Sequence, residues 1–223
     1  MRRILLLAHR VPPSGSFTLN DLAGGAGRMD EVARVVSTAF TLSNDLRRDT
    51  EVTVLFVRDP PPSARRIHLV GSRLRHLNPD ERSTAALLKN ALVRSIPLLG
   101  EVESSPGLLV GPVDPAAELE RFARLPEAFW LSEDGSPVRD APLFSAGFTA
   151  ILSDPTDPLP QERALFERVG LPRISLGPRS MRSSQCVDLL HQEADLREAA
   201  EARREAPRSG DPPARSPPEA TSP

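Results

Sequence analysis

The sequence predicts an α/β fold, a parallel sheet covered by helices on both faces. Three observations carry that expectation. Short apolar runs recur at residues 4–8, 52–57, 108–110, 148–152 and 174–176. They alternate with stretches of helical period, the longest over residues 29–46. Within the runs nearly every position is apolar, as in strands buried on both faces.

Taken in order, residues 4–8 read as a first buried strand, followed by a polar loop with Pro12, Pro13 and Gly15. Three glycines in four residues (Gly24, Gly25, Gly27) then lead into a helix whose start carries Asp30. Such a turn can cradle a phosphate, or simply open a helix. Met29, Val32, Ala33, Val36, Ala39, Phe40, Leu42 and Leu46 carry the helical period to about residue 46. The β-branched run 52–57 is a strand, Pro60, Pro61 and Pro62 make a loop, and 66–70 form a short strand. Asn78 is the expected cap of the next helix, with Pro79 in its first turn and Ala85, Leu88, Ala91 and Leu92 on its buried face.

The second half repeats the alternation in shorter steps. Strands are expected at 108–110, 128–131, 148–152 and 174–176, with helices near 116–123 and 161–169 and a third from Cys186. Polar loops follow the strands at 132–135 and 153–157. At Gly177-Pro178 the last strand must stop, because proline lacks an amide hydrogen and glycine accepts unusual backbone angles. Three strand-end loops, after Leu131, Leu152 and Leu176, are thus candidates to meet at one sheet edge, where α/β folds bind ligands. Beyond residue 196 the chain turns charged, then Pro-rich, with too little apolar area to fold. Residues 204–223 are expected to be disordered.

Composition excludes several classes. One cysteine, Cys186, rules out an internal disulfide and a multi-cysteine zinc site, and no metal is expected. No apolar run approaches the ~20 residues that span a bilayer, and the five-residue run after Arg2-Arg3 is too short for a signal peptide. A cytoplasmic protein without a membrane partner is expected. The glycine spacing matches neither a P-loop nor a dinucleotide fingerprint, which disfavours nucleoside triphosphate hydrolysis. The formal charge of -2 hides an asymmetry: residues 1–95 hold 15 Lys and Arg against 9 Asp and Glu, the remainder 13 against 21. All but one of the cations are arginines, whose planar fork suits phosphate, so a basic first half is compatible with RNA.

Several segments resemble the archaeal-type tRNA pseudouridine-54 N1-methyltransferase family of the SPOUT, or trefoil-knot, superfamily. They are residues 20–30 with the ending Gly27-Arg28-x-Asp30, residues 40–49, Val70-Gly71-Ser72, and Leu77-Asn78-Pro79-Asp80-Glu81-Arg82-Ser83. Ser175-Leu176-Gly177-Pro178 and the spaced Cys186, His191 and Asp195 belong to the same pattern. The resemblance spans about residues 4–195. It implies one SPOUT domain over residues 1–200, knotted at about 126–196, that works as a homodimer and methylates N1 of a pseudouridine in tRNA with S-adenosylmethionine. Leu131, Ser153, Leu176, Gly177, Pro178, Arg179, Ser180, Met181 and Cys186 are the implied cofactor-binding residues. The family pattern has glycine and histidine on either side of Asp154, where this chain has Ser153 and Pro155.

Pseudouridine is joined to its ribose through carbon, so its N1 carries a proton that must leave. Asp30 and Arg28 are the candidate catalytic pair, acceptor and charge stabiliser; Asp30 equally suits a helix cap or an ion pair with Arg34. Arg47, Arg48 and Arg82 are candidate RNA contacts, or a solvated face. Cys186 is read as a pocket wall, with a nucleophilic role as the rival. A knotted RNA-binding protein without turnover, or a methyltransferase acting on a different RNA pseudouridine, is the alternative function.

Overall fold

The computed structural model describes residues 1–59, 63–141 and 147–205. The expected Pro60–Pro62 loop and the tail beyond 205 lie outside the described residues. Eight strands form one sheet in the order β4-β5-β3-β2-β1-β7-β6-β8. They are β1 (Arg2–Ala8), β2 (Thr50–Phe56), β3 (Arg65–Val70), β4 (Val102–Ser105), β5 (Leu108–Pro112), β6 (Ala128–Pro137), β7 (Phe148–Ser153) and β8 (Arg173–Ser175). The helices are α1 (Met29–Phe40), α2 (Glu81–Leu92), α3 (Pro115–Ala123), α4 (Pro160–Arg168) and α5 (Ser183–Glu205).

Helices cover both faces, as expected, and β1 shows how. Ile4, Leu6 and Ala8 join one core with Val32, Val36 and Phe40 of α1, Leu88 of α2 and Leu190 of α5. Leu5 and Leu7 point the other way, into a second core with Leu119 and Phe122 of α3 and Leu165 and Phe166 of α4. Successive side chains of a strand face opposite sides, so a two-sided core requires the unbroken apolar run.

Five expectations are corrected. The sheet is mixed: β2, β1, β7, β6 and β8 pair in parallel, whereas β2–β3, β3–β5 and β4–β5 are antiparallel. The segment between β2 and β3 is too short for a crossover helix, which forces the reversal. β4 escaped the sequence reading because Val102-Glu103-Ser104-Ser105 is short and polar; it forms a hairpin with β5 through Gly107 at φ 79. Helix α1 ends at Phe40, not at 46. Leu42 and Leu46 belong to a turn in which Thr41 bridges Leu46 and the Asp45 side chain accepts from the Leu46 amide. Asp80 rather than Asn78 caps α2, accepting from the Ser83 amide at 2.8 Å. Lastly, α5 begins three residues before Cys186 and runs to Glu205, past the expected start of the tail.

Candidate active site

Strands β7, β6 and β8 end side by side at the C-terminal edge of the parallel half, and the three expected loops meet there. They wall a cleft of about 170 Å³. Leu131 lines it from β6. The four residues after it bulge out, because Leu131 and Ser136 both pair with Ile174 of β8. Thus 132–135, expected as a loop, is an excursion within a single strand. Ser153 lines the cleft at the end of β7, and its carbonyl accepts from the Ser183 hydroxyl at 2.5 Å. Leu176, Gly177, Arg179, Ser180 and Met181 line it from the β8–α5 connection, and Cys186 from the first turn of α5. Pro178 stands within that connection but not in the lining.

Gly177 has φ 150, a region that favours glycine, and a Cβ there would meet nothing within 4 Å. The Ser175 hydroxyl donates to its carbonyl at 3.0 Å and accepts from its amide at 3.2 Å, which fixes the turn. Burial, with Glu133 and Glu31 nearby, pushes the Cys186 thiol up to about 11. It is a thiol at neutral pH, which argues against a nucleophile.

Asp30 and Arg28 lie outside the lining, at the start of α1. The guanidinium of Arg28 grips the Asp30 carboxylate through two bonds of 3.0 and 3.1 Å, and Arg34 donates to it at 2.6 Å. Burial works against the charge, but the two arginines outweigh it and hold the Asp30 carboxyl below its usual range. Arg28 itself adopts φ 68, rare without glycine. Gly27 before it permits the approach: a Cβ there would stand 2.2 Å from the Arg10 carbonyl. The next residue, Glu31, reaches the cleft's edge by accepting from both the amide and the hydroxyl of Ser184, each at 2.9 Å.

The three candidate RNA contacts are all engaged within the chain. Arg47 forms a two-pronged pair with Asp195 at 3.1 and 2.7 Å. Arg48 donates to the Gly71 and Leu74 carbonyls and to Asp45. Arg82 binds the Leu19 carbonyl and Asn20 Oδ1. By contrast, Arg10, Arg179 and Arg182 have no hydrogen-bonded side-chain partner among the described residues, and Arg179 lines the cleft.

Sequence reading missed His9. Just past β1, its Nδ1 lies 3.3 Å from Asp154 Oδ1 and its Nε2 3.0 Å from Glu162 Oε2. The only signal was a histidine breaking an apolar run at a strand's C-terminal end. Among the described residues, no group of three or more His, Cys, Asp or Glu is placed to hold a metal ion, and no helix is long and apolar enough to cross a membrane.

Residues 1–199 match a family model described as "putative SAM-dependent RNA methyltransferase". The curated tRNA (pseudouridine(54)-N(1))-methyltransferase of Methanocella arvoryzae is 39% identical over 197 residues, covering 88% of this chain and 100% of the relative. The enzyme of that name from Haloferax volcanii is 35% identical over 202 residues, with 87% and 96% covered. Among solved structures, Archaeoglobus fulgidus Nep1 bound to S-adenosylhomocysteine superposes with a TM-score of 0.58 at 14% identity, covering 89% of this chain and 98% of that one. That last likeness speaks for the fold alone. The family model covers the cleft, the Asp30 cluster and the sheet together, and this chain belongs to that family of S-adenosylmethionine-dependent RNA methyltransferases.

Proposed function

We propose that this chain methylates N1 of pseudouridine 54 in tRNA with S-adenosylmethionine as the methyl donor. The observation that carries the reading is the cleft at three parallel strand ends, in a chain that matches relatives named for this reaction over nearly their whole length. The residues present fit the cofactor. Leu131, Ile174, Leu176 and Met181 offer apolar walls to a flat ring, and Glu133 and Asp157 suit its cationic groups. Small-molecule pockets commonly hold roughly 300–1,000 Å³, so a cofactor-sized ligand would extend beyond this smaller cleft. When bound, the cofactor supplies a methyl group on a positively charged sulfur.

The chain's own task is to orient the base and remove its N1 proton. Asp30, ionised at neutral pH beside Arg28 and Arg34, is the proposed acceptor at its carboxylate. Arg28 is the proposed stabiliser of negative charge developing on the base. We assign RNA phosphate contacts to Arg10, Arg82, Arg179 and Arg182, while Arg47 and Arg48 serve the scaffold. We further propose a cytoplasmic location, and the resemblance supports a homodimer, one domain over 1–200 and a knot over about 126–196.

The test is methyl transfer to a T-loop RNA carrying pseudouridine at position 54, with product read by mass spectrometry and a uridine-containing T-loop as control. Product at N1 of pseudouridine alone is expected. Asp30→Asn should keep RNA and cofactor affinity while single-turnover transfer falls ~10²-fold or more. Binding of the T-loop with no cofactor binding would instead favour an RNA-binding protein without turnover.

A further inference from the structure

His9 is not accounted for by the methyl transfer as derived, yet its surroundings are built around it. Its side chain is 7% exposed and lies between two carboxylates from different elements. Asp154, on the segment after β7, is itself 4% exposed. Its carboxylate accepts from the backbone amides of His9 at 2.8 Å, Arg10 at 3.2 Å and Thr156 at 2.9 Å. Glu162, in the first turn of α4, accepts from the Leu159 amide at 2.7 Å. The segment that starts at Ser153 and runs toward Glu162 forms one wall of the cleft as far as Pro158: Ser153, Asp154, Pro155, Asp157 and Pro158 all line it. Each end of that segment is therefore fastened, through a carboxylate, to one imidazole at the end of β1.

The hydrogen bonding dictates the form of the ring. A carboxylate on each nitrogen needs a proton on each nitrogen, and neutral imidazole has only one. His9 is thus an imidazolium bridging two anions.

We propose that His9 is a positioning residue for the cofactor, a charged clamp that holds the 153–158 wall of the cleft in its binding shape. This rests on the cofactor reading of the cleft given above. The groups facing the ring are Asp154 beyond β7 and Glu162 on α4, with Arg10 next to it on its own segment. Burial opposes the charge, but the hydrogen bonds and attraction of Asp154 and Glu162 prevail and raise His9 to about 9. A raised histidine contributes fully below its free value near 6.5, and the contribution is lost as pH rises through about 9. The clamp should therefore hold through neutral pH and release in mild alkali.

The experiment is calorimetric titration of the whole protein with S-adenosylhomocysteine between pH 7.5 and 10, for the parent and His9→Gln, with unfolding midpoints measured alongside. The ligand's own amine titrates near 8 for both proteins, so the ratio of the two Kd values isolates His9. At pH 7.5 His9→Gln should bind about tenfold more weakly. That ratio should shrink toward one as pH passes 9, because the parent loses its clamp while the variant has none to lose. Equal Kd values at pH 7.5, with or without a lower midpoint, would make His9 merely structural and overturn the proposal. A ratio that stays constant to pH 10 would overturn the charged clamp. Should His9→Gln fail to fold, Glu162→Gln serves, since its amide oxygen still accepts from Leu159. A parent that binds no ligand at any pH would sink the cofactor reading instead, an outcome distinct from the failure of the clamp.

Discussion

Cys186 separates two readings that sequence left open. A cysteine five residues before a histidine on a helix invites thought of a nucleophile. The structure sets their environments apart. Cys186 lines the cleft with its thiol pushed up to about 11, whereas His191 is 2% exposed, with Nδ1 3.3 Å from Arg2 Nη1. Burial, with Arg47 and Arg2 close by, drives His191 down to about 3, so it is a neutral core residue. Cys186→Ala should thus cost cofactor affinity about 1–2 kcal/mol at most, the scale of a small cavity, with kcat intact at saturating cofactor. Loss of kcat at unchanged affinity would restore the nucleophile. The ion-pair reading of Asp30 was legible because Arg34 stands four residues on, and the structure shows that pair; the cap reading fails, because Arg28 holds the N-cap position of α1 and no side chain caps it. His9 was not legible, because its partners lie 145 and 153 residues away and only the fold joins them.

Among the elements, α1 and α5 are tied at their first turns, and that tie shapes the cleft. The amide of Ser184 belongs to the start of α5, where backbone N–H groups lack helical partners. Glu31, 1% exposed, accepts from that amide and from the Ser184 hydroxyl, while Arg34 holds its other oxygen. Glu31→Ala would strand a buried donor, so we expect a loss of about 1–3 kcal/mol in urea unfolding. Cofactor binding should weaken as well, because Cys186 sits two residues past Ser184. Glu31→Gln keeps an acceptor and should fall between; an unchanged urea midpoint for Glu31→Ala would show that the tie carries no stability. The elements themselves were largely legible, since two-sided burial writes an unbroken apolar run into β1 and nearly continuous ones into β2 and β7, each interrupted by one buried threonine, Thr53 and Thr149. What misled was local mimicry. Leu42 and Leu46 keep helical spacing inside a turn, and β6 passes through the polar stretch 132–135 by bulging away from β8.

At the scale of the whole molecule, the charge asymmetry has a different meaning from the one the sequence suggested. The basic first half is in part the counterpart of the acidic α5. Arg2, 1% exposed, meets Asp195 at 2.6 Å and Glu198 at 3.0 Å, and lies 3.3 Å from Asp49. Arg47 shares Asp195. These pairs fasten the last helix to the sheet across nearly the whole length of the chain, so a count of cations by halves overstates what is available to RNA. Sequence could not show this, because pairing depends on which strand end α5 crosses. The consequence is measurable with filter binding of T-loop RNA at several salt concentrations. Each arginine that contacts a phosphate releases counterions, so its loss lowers the slope of log affinity against log salt by about one unit. Arg179→Ala and Arg182→Ala should each lower the slope in that way at unchanged unfolding midpoint. Arg47→Ala should do the reverse, leaving the slope alone while the midpoint drops as Asp195 loses one of its two arginines. A lowered slope for Arg47→Ala, beside unchanged slopes for Arg179→Ala and Arg182→Ala, would move the RNA away from the cleft and back onto the face formed by the first half.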